Sequence, residues 1–225
     1  MSLKSIIAVA SGESDDAEAL GAARRLAAPS GAHVRVQPDL PARPAADFVY
    51  YGAALRTETT PPARIAEAER EIQGAIETRA RDVAAREGLS TDTEIAGPSI
   101  MTDKRALLPA AALAPAAVLA DLVVFSGTAA REALSGLFAE TLLSTRAPVL
   151  LAKGAAIDGP IAVAWDGSAQ SARAARAALP LLQAAPGVLI VRNTDDATSE
   201  SEASAPERLR TYLAQHGVAD VALRA

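Results

Sequence analysis

The chain has 225 residues, enough for one large domain or two small ones; 50% of them are hydrophobic, but only 3% are aromatic. It contains no cysteine, which excludes a disulfide framework, a cysteine-ligated zinc finger and a thiol nucleophile. The formal net charge of −5 provides no basic surface for nucleic acid, and no apolar run approaches the length of a membrane span. The N-terminal apolar stretch is too short for a secretory signal, so we expect a cytoplasmic protein.

Strand-like segments recur through the first 153 residues. They are short β-branched or alternating runs, which are typical of strands in a buried sheet. The predicted strands are 5–10 (SIIAVA), 32–37 (AHVRVQ), 91–97 (TDTEIAG), 121–126 (DLVVFS) and 147–153 (APVLLAK).

The first predicted helix follows the first strand. Asp15 and Glu18 have the spacing of a capping box, which marks a helix start. Leu20, Ala23 and Leu26 then line one helical face until the segment APSG ends it.

A second helix is predicted from Thr60, with Pro61 at the first helical position, to Gly88. Its apolar residues at helical spacing are Ile65, Ala68, Ile72, Ile76 and Val83. Two further helices are predicted over 103–119, shortened or bent by its prolines, and over 134–144. Alternating strands and helices predict an α/β fold with a doubly wound, parallel, five-stranded sheet.

Residues 160–225 repeat the pattern found at the start of the first 153 residues. Residues 160–182 (PIAVAWDGSAQSARAARAALPLL) parallel 5–27 (SIIAVASGESDDAEALGAARRLA) as strand, glycine-containing turn and Ala/Arg-rich helix. A strand at 187–193, a helix at 208–217 and a strand at 218–225 follow, and the acidic run between them predicts a solvated loop. The repeat predicts a first domain over 1–153, a linker over 154–159 and an incomplete second domain over 160–225.

These segments resemble the universal stress protein family in its tandem form. The likeness is carried by VAWDGSAQSARAARAALPLL, YLAQHGV and ADLVVFSG…ETLLSTRAPVLLAK, and it covers nearly the whole chain. The resemblance implies the adenine nucleotide alpha hydrolase-like sheet in each domain, with ligands outside the carboxyl ends of the strands. Many members bind ATP there and others do not. Members dimerise, or tandem pairs join, through the last strand of each domain.

The resemblance also implies two parts of a nucleotide site: an acidic residue after the first strand, and a glycine-rich phosphate loop after the fourth. The implied candidates are Ala10, Ser11, Gly12, Val36, Ser126, Gly127, Thr128 and Gly136 in the first unit, and Trp165, Asp166 and Gly167 in the second.

The first unit departs from the family pattern at both parts. Ser11 stands where the family has a carboxylate. Ala130 stands where a second loop glycine is expected, and Leu137 rather than Ser or Thr follows Gly136. The loop from Gly127 to Gly136 is also shortened. We therefore expect the first unit to keep the fold of the family but not its nucleotide-binding site.

The second unit keeps the acidic residue. Asp166 stands at the family's base and ribose contact, although Asp166 and Ser168 would serve equally well as caps of the following helix. A fourth strand and phosphate loop do not follow in the sequence, which leaves the edge of the unit's first strand unpaired. Either a partner chain covers that edge or the chain is a fragment of a longer product. We favour the fragment, because an exposed strand edge beside an apolar face promotes aggregation.

The remaining candidate residues predict no chemistry. His33 and His216 have no second ligand at metal spacing. Tyr50 and Tyr51 fall in a proline-rich irregular segment, and Trp165 is interpreted as a packing residue that could border an adenine.

Three functions are weighed. The preferred one is a non-catalytic regulatory or interaction protein of the stress response, with weak or absent nucleotide binding, no required cofactor and a homodimeric or pseudo-dimeric partner. The second is an ATP or AMP sensor that uses Asp166. The third is an enzyme with the same fold, which the sequence does not support because it shows no catalytic base, nucleophile or metal cluster.

Overall fold

A parallel sheet of five strands forms the centre of the first unit of the protein, residues 4–155. The structure, a computed structural model, describes residues 3–39, 50–51, 54–55, 62–91, 97–102, 113, 115–127, 137–154, 158–192 and 205–224. The chain divides into two units, Lys4–Ala155 and Ala156–Ala225 with Met1–Leu3, and each is described by itself.

The five strands lie in the order β5-β2-β1-β6-β7, and every neighbouring pair is parallel. Their bounds are β1 Ser5–Ala10, β2 His33–Pro38, β5 Ser99–Thr102, β6 Leu122–Ser126 and β7 Val149–Ala152. The parallel five-stranded sheet predicted from the sequence is therefore confirmed. The central strands β1 and β6 are buried on both faces, as expected for a sheet covered by helices on each side: residues 6–10 and 122–125 are at most 7% exposed.

Helices cover this sheet. They are α1 Asp16–Ser30, α2 Pro62–Glu87 and the short α3 Leu137–Glu140, which continues as a π-helical turn over Thr141–Thr145. Ile7 and Val9 pack with Phe125, Leu113 and Leu137. The alternate residues of β1 point to the other face, against which α1 packs, and they are equally buried.

The first helix confirms its predicted apolar face, because Leu20, Ala23 and Leu26 are buried. The capping box is wrong: Asp15 has helical backbone angles and makes no side-chain cap. Gly31, at the end of APSG, has a φ of 60°, a left-handed conformation that ends α1 at little cost for a glycine.

The second helix is described from Pro62 to Glu87, and its predicted start at Thr60 and Pro61 lies outside the described residues. Of its predicted apolar face, Ile76 is buried, Ile72 and Val83 are half-buried and Ala68 is exposed, while the side chain of Ile65 lies outside the described residues. Gly88 ends the helix with a φ of 62°, as predicted.

Three other segments differ from their predictions. The strand predicted at 91–97 falls mostly outside the described residues, and the strand observed is Ser99–Thr102, beyond Gly97. Tyr50–Tyr51 (β3) and Ala54–Leu55 (β4) form a short antiparallel pair within the stretch predicted to be irregular. Of the helix predicted at 103–119, the structure describes residues 113 and 115–119: 113 and 115–117 are helical, and 118–119 form a turn.

The second unit is a three-stranded parallel sheet in the order β10-β9-β8. Its elements are β8 Ile161–Ala164, α4 Ala169–Ala177, α5 Leu179–Ala184, β9 Val188–Val191, α6 Pro206–Gln215 and β10 Val221–Arg224. Trp165, Leu182, Ile190 and Leu213 belong to its core. Ile161 and Val163 pack against this core, whereas the alternate residue Ala162 is exposed, so the described helices cover one face of the sheet.

Candidate functional site

The carboxyl end of β1 is organised around the carboxylate of Asp16, the first residue of α1. Its Oδ1 accepts hydrogen bonds from the backbone N–H of Ser11 (2.7 Å) and from the Ser11 hydroxyl (3.2 Å). Its Oδ2 accepts from the backbone N–H of Gly12 (2.9 Å) and from Nη1 of Arg79 on α2 (3.0 Å). Asp16 is only 2% exposed. Both carboxylate oxygens are therefore fully engaged in bonds that tie the β1–α1 loop to α2.

Two more carboxylates lie at this end of the sheet. Asp15 accepts a hydrogen bond of 2.7 Å from the hydroxyl of Ser126, the last residue of β6. Asp39 follows β2, and its backbone N–H donates to the carbonyl oxygen of Ala10 (2.7 Å). Burial, and secondarily the charge of Asp16, raise the pKa of Asp39. The edge where an α/β protein presents its ligand site is thus strongly acidic in this unit.

The glycines after β1 and β6 make close internal contacts. A Cβ at Gly12, whose φ is +88°, would lie 3.1 Å from Cγ2 of Ile72 on α2. A Cβ at Gly127 would lie 3.0 Å from the carbonyl oxygen of Ala152 and 3.2 Å from Cβ of Lys153. Both positions therefore need glycine for packing, whether or not a ligand approaches.

The structure brings together most of the candidate residues of the first unit. Ser11 and Gly12 bond to Asp16 after β1, while Ser126 and Gly127 lie at the end of β6, the strand that pairs with β1. Ala10 and Val36 are 1% and 0% exposed within the sheet. The remaining two candidates of this unit, Thr128 and Gly136, lie outside the described residues.

In the second unit Asp166 folds onto the start of α4. Its Oδ1 accepts from the backbone N–H of Ser168 (2.8 Å). Ser168 is the N-cap, and its hydroxyl oxygen accepts from the backbone N–H of Ser171 (3.1 Å). Hydrogen bonds from Ser171 and Ser168 lower the pKa of Asp166 to about 2, so this fully exposed carboxylate is ionised at neutral pH. The capping role considered from the sequence is present.

Trp165 packs in the core of the second unit, as interpreted from the sequence, and is 9% exposed. Its backbone N–H donates to the carbonyl oxygen of Val191 (2.9 Å). Its indole Nε1 is buried and has no hydrogen-bond partner in the described part of the chain. Gly167, with a φ of 77°, turns the chain between Trp165 and α4.

Sequence reasoning missed Asp16 and Arg79. Asp16 could have been suspected from the two adjacent aspartates in SGESDD, but Arg79 lies 63 residues away and carries no local signal. His33 bonds through Nδ1 to the Ser99 hydroxyl (2.8 Å), linking β2 to β5. Within the described ranges, no three His, Asp or Glu side chains gather as metal ligands. None of the described helices is both long and apolar enough to cross a membrane.

No family model matches the sequence, and no curated protein matches it. Solved structures do resemble the fold. A universal stress protein from Archaeoglobus fulgidus DSM 4304 is 13% identical, and the match covers 97% of this chain and 75% of that one with a TM-score of 0.66. A universal stress protein in complex with cAMP is 19% identical over 68% of this chain and 98% of that one, but its TM-score of 0.33 supports no argument. The chain therefore has the fold of the universal stress proteins.

Proposed function

We propose that the chain is a non-catalytic regulatory or interaction protein of the universal stress type, acting in the cytoplasm, whose first unit does not bind nucleotide. The observation that carries the proposal is the buried carboxylate of Asp16, which occupies the backbone amides of Ser11 and Gly12. Free amides at the end of the first strand, beside a helix N-terminus, are what an anion site needs. Here the protein's own anion fills them.

A nucleotide phosphate at this edge would also meet repulsion. If it bound through the amides of Ser11 and Gly12, it would have to displace Asp16 from them and from the guanidinium of Arg79. Asp15 and Asp39 lie at the same end of the sheet and add negative charge. Like charges in a partly buried site disfavour one another strongly. The acidic edge therefore supports a first unit without a phosphate subsite.

The glycine contacts support the same proposal. Gly127 faces the end of β7, where a Cβ would come within 3.0 Å of a carbonyl oxygen. Gly12 lies against Ile72. Both glycines are accounted for by packing, so their presence is no evidence of a phosphate-binding loop.

The second candidate function is an ATP or AMP sensor in the second unit. It is favoured by Asp166, an exposed and ionised carboxylate just beyond the carboxyl end of β8. Such a carboxylate can accept hydrogen bonds from ribose hydroxyls, as in other doubly wound folds. Its Oδ1 is already used by Ser168, which reduces but does not remove this capacity.

Calorimetry separates the two candidates. ATP with Mg²⁺, and AMP, are titrated into the whole chain, into Asp166→Ala and into Asp158→Ala, a control that removes another exposed carboxylate of the same unit. We expect no saturable heat with any of the three proteins. Saturable binding that is lost only in Asp166→Ala would establish the sensor instead. Binding that survives Asp166→Ala and is lost in Gly136→Val would place nucleotide in the first unit and refute the proposal.

The proposed partner is a second copy of the chain, joined through β7. Among the described strands β7 is one of the two edge strands of the five-stranded sheet, the other being β5, and its Leu151 is 40% exposed. An edge strand with an exposed leucine is suited to pairing with another strand. Light scattering should give a dimer for the unmodified chain and for Leu119→Glu, and a monomer for Leu151→Glu. A monomer in all three would contradict this partner.

A further inference from the structure

A cavity of about 260 Å³ opens between α4 and α6 of the second unit. Buried Trp165, Ala175 and Leu209 contribute apolar surface to it. Asp166 does not line it, although its neighbours Trp165 and Gly167 do. An apolar concavity with a few polar groups is the usual form of a small-molecule site.

Trp165 lines this cavity and also carries a buried polar atom that has no partner among the described residues. The indole Nε1–H is a donor only, it is buried, and it has no acceptor among the residues that the structure describes. Leaving a buried donor without an acceptor costs free energy, and native proteins rarely do so without a reason. A ligand oxygen that reaches Trp165 from the cavity, with a small rotation of the ring, would supply the acceptor.

Two guanidinium groups line the same cavity from opposite helices. Arg176 comes from α4 and Arg208 from α6, and both side chains are exposed. Neither has an ion-pair partner in the described ranges of the chain. Arginine binds carboxylates through two parallel hydrogen bonds, and two such groups around an apolar floor select an anion with an apolar body.

We propose that this cavity binds a small organic carboxylate with a compact apolar body, such as a monocyclic aromatic acid. The arginines hold the carboxylate, and Ala175, Leu209 and the Trp165 ring contact the body. A cavity of about 260 Å³ suits a compact ligand of this kind. The proposal uses neither the first unit nor Asp166, but it shares Trp165 and Gly167 with the residues considered for nucleotide binding in the second unit.

Trp165 is the only tryptophan of the chain, so its fluorescence reports on this cavity directly. Phenylacetate is titrated into the whole chain, with 2-phenylethanol as the neutral probe of similar shape. We expect a saturable fluorescence change with phenylacetate and none with 2-phenylethanol. In Arg176→Gln/Arg208→Gln the apparent affinity should fall by about tenfold or more. Arg173→Gln/Arg210→Gln removes two arginines from the same helices outside the cavity and should bind as the unmodified chain does.

Three outcomes would overturn the proposal: no saturable change with phenylacetate, equal binding of 2-phenylethanol, or an equal loss of affinity in the control pair. Far-UV circular dichroism checks that each variant is folded. Ala172→Leu provides a second test that keeps every charge, because Ala172 lines the cavity and a larger side chain fills it. This variant should abolish the fluorescence change, and unaltered binding in it would place phenylacetate elsewhere.

Discussion

In both units a carboxylate accepts hydrogen bonds from backbone N–H groups at the turn after the first strand, but the carboxylate comes from opposite sides of that turn. In the first unit the carboxylate comes from the helix, where Asp16 reaches back to the amides of Ser11 and Gly12. In the second it comes from the turn itself, where Asp166 reaches forward to the amide of Ser168. Each carboxylate satisfies backbone donors near the start of the first helix of its unit, which would otherwise need water or a ligand.

The two carboxylates differ in burial, and this difference governs what they can do. Asp16 is 2% exposed and bonded to Arg79, so it ties the turn to α2 and occupies the amides of Ser11 and Gly12. Asp166 is fully exposed and stays in contact with solvent. In the first unit a buried carboxylate occupies the backbone amides of the turn, whereas in the second unit the carboxylate is accessible to solvent. Two units with the same strand–turn–helix topology therefore need not share a function.

Replacing Asp16 has the largest expected effect, since it removes the group that closes the first turn. Asp16→Asn keeps the size but replaces one acceptor oxygen by a donor that faces Arg79 or a backbone N–H. We expect a loss of about 2–4 kcal/mol in the free energy of unfolding, measured by urea unfolding followed by circular dichroism.

Glu13→Gln is the matched control for this change. It removes one negative charge from the same loop at an exposed position, and it should change stability by less than about 0.5 kcal/mol. Equal effects of the two substitutions would mean that Asp16 acts only through net charge, and the comparison between the two turns would fail.

Gly127 tests whether the turn after β6 is packed or kept open for a ligand. In Gly127→Ala the new Cβ meets the Ala152 carbonyl oxygen and the Lys153 side chain, and we expect a loss of about 1–2 kcal/mol in stability. Gly74→Ala is the control, because that glycine lies within α2 with nothing within 4 Å of its Cβ position, and it should gain about 0.5–1 kcal/mol. A neutral Gly127→Ala in thermal unfolding would leave that glycine without a packing role.

Ser168→Ala removes the N-cap of α4 and should cost about 1 kcal/mol, read from the Trp165 fluorescence during urea unfolding. The same substitution should raise the pKa of Asp166 toward 3.8, since it removes the Ser168 hydroxyl. Thr211→Ala, at an exposed position of α6, is the control and should be nearly neutral. An unchanged pKa in Ser168→Ala would show that the open turn is not held by its cap.

Asp39 gives a smaller effect that depends on pH. Its pKa is raised in the folded protein, so its contribution to stability is most favourable below the unfolded value of 3.8 and declines as the pH rises through the folded value. Asp39→Asn should therefore raise the melting temperature at pH 7 and have less effect near pH 4. An equal rise at both values would rule out ionisation as the cause.

Asp166 gives the smallest expected effect, with the opposite sign. Its pKa is lowered, so the stabilisation is complete above the unfolded value of 3.8 and is lost as the pH falls from 3.8 toward about 2. Carboxyl carbon NMR should find its midpoint about two units below that of an exposed, unbonded aspartate. A midpoint near 3.8 would contradict its hydrogen bonds to Ser168 and Ser171.

Much of the fold was predictable from local pattern. The strands at β1, β2, β6 and β7 and the face of α1 were found because apolar residues recur with the period of the element that buries them. The strand Ser99–Thr102 was not predicted, because the alternating run at 91–97 just before it was interpreted as the strand. The ends of a strand depend on which neighbouring strand it pairs with, here the pairing of β5 with β2. Local sequence pattern does not predict such pairing.

The candidate site was only partly predictable. The sequence identified Ser11, Gly12 and Asp166 as the residues that follow the first strand of each unit. It did not indicate that Arg79 would meet Asp16, because contacts between residues far apart in sequence depend on how helices pack. The unpartnered indole of Trp165 was likewise invisible, since burial and hydrogen bonding are properties of the folded chain.

The sequence by itself determined the alternation of strand and helix, the repeat, and the departure of the first unit from a phosphate-binding pattern, since periodicity and glycine spacing are local. Only the tertiary structure decided that Asp16 would be buried and Asp166 exposed. The reason is physical: a carboxylate near a helix start bonds whichever backbone amides the packing leaves within reach, and α2 supplies Arg79 only in the first unit.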